Sequence, residues 1–155
     1  MPANRLVMEV CLTTGYRVSD VLSLKTEQLE RSSHNGGRVT VRERKTGKLR
    51  RCRVPADLVY RCMSQAGRVY VFEGRFDRLR HRTRQAVYKD LRRAAKLFRL
   101  DVHVSPHSAR KAWAVDEYHR TGSITRVQRN LNHTDPSVTM LYALADQLEA
   151  RKRPK

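Results

Sequence analysis

Cysteine is scarce in this sequence. The three present, Cys11, Cys52 and Cys62, are odd in number and scattered, and no two stand at the spacing of a metal-binding pair. Neither a disulfide framework nor a zinc site is therefore indicated. We expect reduced, packed thiols in a cytoplasmic protein, with no metal and no cofactor.

Long apolar runs are also missing. No stretch approaches the roughly 20 consecutive apolar residues of a membrane-spanning helix, and no segment has the pattern of a signal peptide. Hydrophobic residues still make up 39% of the 155 residues, which is enough for one globular domain with its own core. We therefore expect residues 1–155 to form a single domain that has no membrane partner.

Acidic residues are few. The chain has 15 Asp and Glu against 33 Lys and Arg, a formal net charge of +18. Such a surface suits a polyanion, and nucleic acid is the first candidate. The charge is concentrated in two basic tracts, residues 42–53 and residues 75–99. The apolar face of the second tract is modest and poor in aromatic residues, which favours DNA or RNA over a membrane surface.

Hydrophobic periodicity predicts an α+β domain that is mostly helical, with a small antiparallel three-stranded sheet. A β-hairpin is expected around Lys45-Thr46-Gly47-Lys48, with Lys45 at its tip, and a polar loop at residues 32–37. Strands are predicted at residues 39–42, 49–54 and 69–72. Helices are predicted at residues 5–14, 18–24, 56–63, 83–97, 106–119, 123–131 and 137–150. A basic tail is predicted at 149–155, overlapping the end of the last helix.

A helix start at Ser105-Pro106 brings two chemical groups together. Ser105 is a good N-cap and Pro106 a good first helical residue, so His107 and Arg110 share one face of the helix. An imidazole and a guanidinium at a helix N-terminus, where free amides favour negative charge, are suited to handling phosphate. For these two residues alone, a solvated helix face is the more common explanation.

Three further residues also have ordinary structural explanations. Arg17 lies at the corner between two predicted helices, where a long cation is commonly only surface. Lys45 on an edge hairpin would discourage aggregation. Tyr142, beside the apolar stripe of the last predicted helix, would usually be packing.

Read together, these residues resemble the catalytic domain of the tyrosine recombinases, the phage integrase family. Four boxes of the family occur here in the expected order and spacing, and their agreement outweighs the separate ordinary explanations. The boxes are similar to Thr14-Gly15-Tyr16-Arg17-Val18-Ser19-Asp20-Val21-Leu22, to Arg44-Lys45-Thr46-Gly47, to His107-Ser108-Ala109-Arg110, and to Leu131 and His133 with Thr139 and Tyr142.

The sequence departs from the family pattern in three ways. Asn132 replaces the usual Gly before the histidine but, like Gly, can adopt a left-handed conformation. Ser108 and Ala109 stand where Asp-Leu or Glu-Leu is commoner, at positions that are expected to face away from the site. The N-terminal DNA-clamping domain of the family is not found, so we expect either an excised catalytic domain or a naturally short relative.

The resemblance implies metal-free cutting of double-stranded DNA. Tyr142 would be the nucleophile and His107 its base. Arg17 and Arg110 would bind the non-bridging phosphate oxygens, and His133 would donate a further hydrogen bond. The expected catalytic residues are Arg17, Lys45, His107, Arg110, His133 and Tyr142.

The hairpin would supply the general acid. Lys45 would protonate the departing 5′ oxygen, with Lys48 as the alternative. The product would be a 3′-phosphotyrosyl linkage, which a 5′-hydroxyl can reseal without ATP.

The basic tracts are expected to contact the DNA backbone. Full recombinases of this family form tetramers on two duplexes, so self-association is expected only in that context, in the nucleoid of a bacterial or phage-infected cell. The expected DNA contacts are Arg42, Arg44, Lys48, Arg51, Arg53, Arg82, Arg84, Lys89, Arg92, Arg93 and Lys96.

Two other functions stay open. A type IB topoisomerase uses similar Arg, Lys and Tyr residues, but that family generally has Lys in place of the first His of the His-x-x-Arg box, so His107 favours a recombinase. A DNA-binding accessory or regulatory protein could have the same fold without cutting, although the full catalytic set argues against it.

We predict that DNA binding weakens steeply as salt is added, because contacts to phosphates release counterions. If roughly 6 phosphates are engaged, the slope of log affinity against log salt concentration is about −5. Fluorescence anisotropy with two duplexes of unrelated sequence would measure it, and both should give similar affinities. A nearly flat salt dependence would contradict the assignment of the basic tracts.

Overall fold

The structure, a computed structural model, describes residues 2–99 and 105–132. This part of the chain is mostly helical with one small antiparallel sheet, as the sequence predicted. Its elements are α1 (Pro2–Thr14), α2 (Val18–Leu22), α3 (Thr26–Ser33), β1 (Arg38–Arg42), β2 (Leu49–Arg53), α4 (Ala56–Met63), α5 (Arg84–Leu97), α6 (Pro106–Thr121) and α7 (Ile124–Leu131).

The corner between α1 and α2 forms where the sequence predicts it. The apolar stripe of α1, including Val7 and Cys11, is buried, and Gly15 ends the helix with a φ of +65°. The Gly15 N–H donates to the Cys11 carbonyl at 2.8 Å. Arg17 then turns to extended backbone as the N-cap of α2. A residue with a left-handed backbone is therefore what separates the two helices.

The hairpin pairs β1 with β2 in antiparallel register. Val39 and Val41 are buried, and their partners across the ladder are Cys52 and Arg50. Alternation therefore turns Arg51 and Arg53 outward, where they are exposed. The same alternation turns Arg50 inward.

The predicted third strand at residues 69–72 is wrong. This segment makes only an isolated bridge, between Tyr70 and Lys25, with the Val71 N–H donating to the Leu24 carbonyl at 3.0 Å. Its partner is the short connection before α3, which begins at Thr26. Because a helix starts there, no backbone remains to extend the ladder.

Two further boundaries differ from the prediction. Helix α3 was not predicted, since Leu29 and Ser32 are its only buried residues and give too little apolar periodicity. It takes up the first two positions of the predicted loop at residues 32–37. Helix α2 ends at Leu22, two residues early. The helix predicted at 137–150 and the basic tail lie outside the described residues.

The buried Tyr16 fastens the corner to the hairpin. Its hydroxyl lies 3.1 Å from the Val39 carbonyl and 2.9 Å from the Arg50 carbonyl, one on each strand. Its ring belongs to the main apolar core, which also takes in α4 and Phe72. A smaller core joins α6 to α7 through Ala114, Val127 and Leu131. Among the described helices, none has the length and apolar character required to cross a bilayer.

The packing that the sequence predicts for the cysteines is found in the structure. Cys11 and Cys62 are buried and Cys52 is half-buried. Burial raises the pKa of Cys11 to about 12 and that of Cys62 to about 11. These two thiols are therefore protonated at neutral pH.

We predict that Gly37→Ala destabilises the fold much more than Gly36→Ala. Both glycines have left-handed backbone, but a Cβ at Gly37 would lie 2.1 Å from the Val54 carbonyl oxygen, whereas at Gly36 its nearest neighbour would be Arg53 at 3.9 Å. Gly36→Ala should cost about 1 kcal/mol from backbone strain, and Gly37→Ala about 3 kcal/mol or more. Denaturant unfolding would measure both, and equal losses would contradict the clash.

Candidate catalytic site

The carbonyl oxygen of Gly15 is the point where the site is assembled. It accepts a hydrogen bond from Arg110 Nη1 of α6 at 2.5 Å and one from Arg50 Nη1 of β2 at 2.9 Å. Arg110 Nη2 donates to the Leu131 carbonyl at the end of α7, at 2.6 Å. Arg110 is only 6% exposed. Its guanidinium therefore joins three helices at the base of the site.

Two buried carboxylates accompany these cations. Asp20 and Glu43 have no exposed surface, and Glu43 Oε2 forms an ion pair with Arg17 Nη1 at 2.8 Å. Asp20 Oδ2 is 4.0 Å from the same nitrogen. Within the described residues, Arg17 Nη1 donates no well-aligned hydrogen bond. The Arg17 side chain is nevertheless 15% exposed.

The cluster is positive overall. It contains three guanidinium groups, those of Arg17, Arg50 and Arg110, against two carboxylates. Burial, reinforced by Arg17 and Arg50, lowers the pKa of Arg110 to about 10, although Glu43 and Asp20 act in the opposite direction. Arg110 therefore stays charged at neutral pH in surroundings that favour an added anion.

Burial acts on the two carboxyl groups with different results. It raises the pKa of Asp20, where the hydrogen bond from the Arg44 amide only partly opposes it. At Glu43, burial would also raise the pKa, but the contacts with Thr46 and Arg17 outweigh it and hold the pKa below its ordinary value. Glu43 is therefore the firmly ionised member of the pair.

His107 is on the first turn of α6 and is exposed. The helix begins at Pro106 as predicted, and the Ser105 N–H donates to Ser108 Oγ at 3.0 Å. Partial burial lowers the pKa of His107, as do the charges of Arg84 and Arg110. The imidazole is therefore neutral at pH 7, the form that can accept a proton.

Lys45 projects from the hairpin tip, between two anchored neighbours. The Arg44 N–H donates to Asp20 Oδ1 at 3.1 Å, and Thr46 Oγ1 donates to Glu43 Oε2 at 2.8 Å. Lys45 itself is exposed, as is Lys48. The loop thus carries an exposed lysine between two residues that are bonded to the buried carboxylates.

Two predicted catalytic residues, His133 and Tyr142, lie outside the described residues. The described chain ends at Asn132, which has a φ of +50°. This is the left-handed backbone that the sequence predicted for the position. Because the Leu131 carbonyl accepts a hydrogen bond from Arg110, the last described turn lies at the arginine cluster.

Most of the predicted DNA-contact residues are exposed. Arg82 differs, because it is half-buried and its Nη1 donates to Asn4 Oδ1 at 3.2 Å. The exposed DNA-contact residues are Arg42, Arg44, Lys48, Arg51, Arg53, Arg84, Lys89, Arg92, Arg93 and Lys96.

Among the described residues, no group of three or more His, Cys, Asp or Glu side chains could hold a metal ion.

Sequence reasoning missed two members of the cluster. Arg50 lies on the inward face that strand alternation assigns to it, but a cation is rarely buried, so no role was predicted. Glu43 is the single acidic residue among the seven basic ones at residues 42–53. A lone opposite charge inside a basic tract is the signal that could have marked it.

Comparison with known proteins agrees with this geometry. The sequence model of the phage integrase family matches residues 2–149.

The chain belongs to the phage integrase family.

Two related proteins are each 30% identical to this chain. A probable integrase/recombinase of Bacillus subtilis, YoeC, matches over 139 residues, which cover 88% of this chain and 74% of the relative. The tyrosine recombinase XerD of Ralstonia nicotianae matches over 158 residues, 90% of this chain and 47% of the relative. This integrase-family chain thus spans about half the length of XerD.

The fold of the family is found in solved structures. The XerH site-specific recombinase, in a post-cleavage complex with a palindromic difH substrate, has a TM-score of 0.73 to this chain at 19% identity. The match covers 96% of this chain and 44% of XerH. The likeness identifies the fold of a recombinase catalytic domain.

We predict that Arg84→Gln raises the pKa of His107, because Arg84 is the strongest of the cations that lower it. Lys96→Gln, about 18 Å further along α5, is the matched control and should leave it unchanged. Ring-proton NMR titration would measure both, with the His107 signal identified by its loss in His107→Gln.

The sign of the linked stability effect follows from the same shift. Since the unfolded chain binds this proton more readily than the folded one, acidification through the ordinary histidine pKa should destabilise the fold, and less so in Arg84→Gln. An unchanged His107 pKa in Arg84→Gln would contradict the electrostatic coupling.

Proposed function

We propose that this chain cuts and rejoins double-stranded DNA through a transient covalent bond to Tyr142, without metal or ATP. The observation that carries the proposal is the meeting of Arg17, from the corner after α1, with Arg110 and His107 of α6 in one cluster that keeps excess positive charge. Membership of the integrase family supports the same chemistry.

The arginines bind the scissile phosphate. In the transition state of phosphodiester cleavage the non-bridging oxygens gain negative charge, and Arg17 and Arg110 neutralise it by charge-assisted hydrogen bonds. His133 adds another donor. Loss of one such donor typically costs about 100- to 1,000-fold in rate. Because Arg110 is fixed to two carbonyls, little reorganisation is required when charge develops.

The proton transfers follow from the ordinary acidity of the groups. The phenol of Tyr142 has an ordinary pKa of about 10, and the neutral imidazole of His107 takes its proton as the oxygen attacks phosphorus. The bond between phosphorus and the 5′ oxygen breaks, and Lys45 protonates that oxygen, with Lys48 as the alternative. A 3′-phosphotyrosine and a 5′-hydroxyl result, and attack by a 5′-hydroxyl reverses the step.

The exposed cations hold the duplex. We propose that the outward arginines of β2, Arg51 and Arg53, and the basic face of α5 contact phosphates on either side of the scissile one. Residues 1–155 would act as a catalytic domain, and assembly into a tetramer on two duplexes would require the clamping domain of a full recombinase. XerH, which has the same fold, was solved in a post-cleavage complex with its DNA substrate.

We predict that Tyr142→Phe abolishes the covalent protein–DNA adduct and leaves DNA affinity within about 1 kcal/mol of the parent, because one hydroxyl among many phosphate contacts is lost. The duplex for the assay is found first, by sequencing DNA ends that remain covalently attached to the chain in bacterial cells. A nicked suicide duplex of that sequence then traps the adduct, in the presence of EDTA.

Tyr60→Phe is the matched control, because Tyr60 is an exposed tyrosine on α4, and it should form the adduct normally. An adduct that persists in Tyr142→Phe would mean that another residue attacks. An adduct that requires magnesium would overturn the mechanism, and DNA binding without any adduct would identify a protein that binds but does not cut.

A further inference from the structure

Glu43 has no role in the chemistry derived above, yet it is among the most buried charged residues of the described chain. It is the residue before Arg44 on the loop that carries Lys45. Its Oε2 oxygen contacts two partners: Thr46 Oγ1, which donates a hydrogen bond at 2.8 Å, and Arg17 Nη1, which lies at 2.8 Å. One carboxylate oxygen therefore touches both the hairpin tip and a phosphate-binding arginine.

A buried carboxylate is expensive unless its partners compensate for lost hydration. Glu43 is compensated, because its contacts with Thr46 and Arg17 outweigh the effect of burial and keep it ionised. Arg50 Nη1 is a further cation, 4.0 Å from Glu43 Oε1. A buried carboxylate held between two cations restricts the position of both.

The backbone of the hairpin tip is folded around the same residue. The Glu43 N–H donates to the Lys48 carbonyl at 2.9 Å, and the Gly47 N–H donates to the Glu43 carbonyl at 2.8 Å. The Thr46 hydroxyl is also bonded to the Glu43 side chain. Glu43, which precedes Lys45, is therefore hydrogen-bonded to the three residues that follow Lys45. The position of the Lys45 backbone is thus tied to that of the Glu43 carboxylate.

We propose that Glu43 is a positioning residue that sets Lys45 relative to Arg17. The inference rests on the proposed function, in which Arg17 binds a non-bridging oxygen and Lys45 protonates the 5′ oxygen of the same phosphate. Two groups that act on one phosphorus atom must keep a fixed separation, and a misplacement of about 1 Å can cost about 100-fold in rate. The Glu43 carboxylate supplies that separation by contacting both sides.

Asp20 does not provide an equivalent link. It reaches the hairpin through the Arg44 amide, but its side chain is 4.0 Å from Arg17 Nη1, and burial raises its pKa. Glu43 is thus the carboxylate with close contacts to both groups. Thr46 offers a mild way to test the link. Thr46→Val replaces the hydroxyl with a methyl group, which removes the bond to Glu43 and a longer contact with the Lys48 N–H at 3.3 Å, and it leaves the pair between Glu43 and Arg17 in place.

The test compares two nicked suicide duplexes of the recovered sequence, one ordinary and one with sulfur in place of the 5′ bridging oxygen. A thiolate leaves without protonation, so the second duplex does not require the general acid. Lys45→Ala, which lacks the proposed acid, provides the reference value for the ratio of the rates on the two duplexes. We expect Thr46→Val to slow adduct formation about 10- to 100-fold on the ordinary duplex. On the sulfur-containing duplex, its rate should be close to that of the parent.

Thr46→Ser is the matched control, because it keeps the hydroxyl and should retain the parent rate on both duplexes. Glu43→Gln removes the negative charge that faces both Arg17 and the hairpin tip. Adduct formation should therefore be slower on both duplexes, with the larger loss of rate on the ordinary one. Thermal unfolding checks that Thr46→Val and Thr46→Ser are folded, and these two variants carry the test if Glu43→Gln does not fold.

The outcomes separate this inference from the proposed function. Suppose that the parent forms adduct. If the rate of adduct formation by Thr46→Val then falls equally on both duplexes, or equals the parent rate on both, Glu43 does not act through Lys45. The inference is also overturned if sulfur fails to rescue Lys45→Ala. If the parent forms no adduct on either duplex, the proposed function fails, and the positioning role fails with it.

Discussion

Two buried guanidinium groups share one backbone carbonyl, that of Gly15, and the arrangement of the described chain depends on this contact. The carbonyl is presented by a left-handed residue at a helix end, where a side chain is excluded, because a Cβ at Gly15 would lie 2.5 Å from the ring of Trp113. Arg50 brings the hairpin to this point and Arg110 brings α6. The corner after α1, the sheet and α6 thus meet at one oxygen atom.

This arrangement brings cations together, which ordinarily destabilises a protein. Desolvation of an ion costs several kcal/mol even after relaxation, and a buried ion pair is often no more stabilising than apolar packing. The charges of Asp20 and Glu43 reduce the repulsion but do not cancel it. The proposed function requires such an arrangement, since fixed charges stabilise a transition state without having to reorient.

Local patterns predicted much of this fold, and two of the errors share a cause, the dependence on distant partners. The corner at Arg17, the hairpin around Lys45 and the start of α6 depend on nearby residues, and each was found where it was expected. Residues 69–72 have a strand-like pattern, but a strand requires a partner, and α3 begins too early to supply one. Burial of Arg50 likewise depends on carbonyls 35 and 36 residues away, which no local pattern contains. The roles of the site residues stay predictions, and His133 and Tyr142 lie outside the described residues.

The long reach of Arg110 also has a consequence for the newly synthesised chain. Its acceptor Gly15 lies 95 residues before it, and its second acceptor, Leu131, lies 21 residues after it. Translation proceeds from the N-terminus, and domains fold as their residues leave the ribosome. The hairpin can dock on the Gly15 carbonyl early, but Arg110 reaches its full set of bonds only after Leu131 has emerged. A ribosome-bound chain therefore carries the basic hairpin well before its arginine cluster is complete.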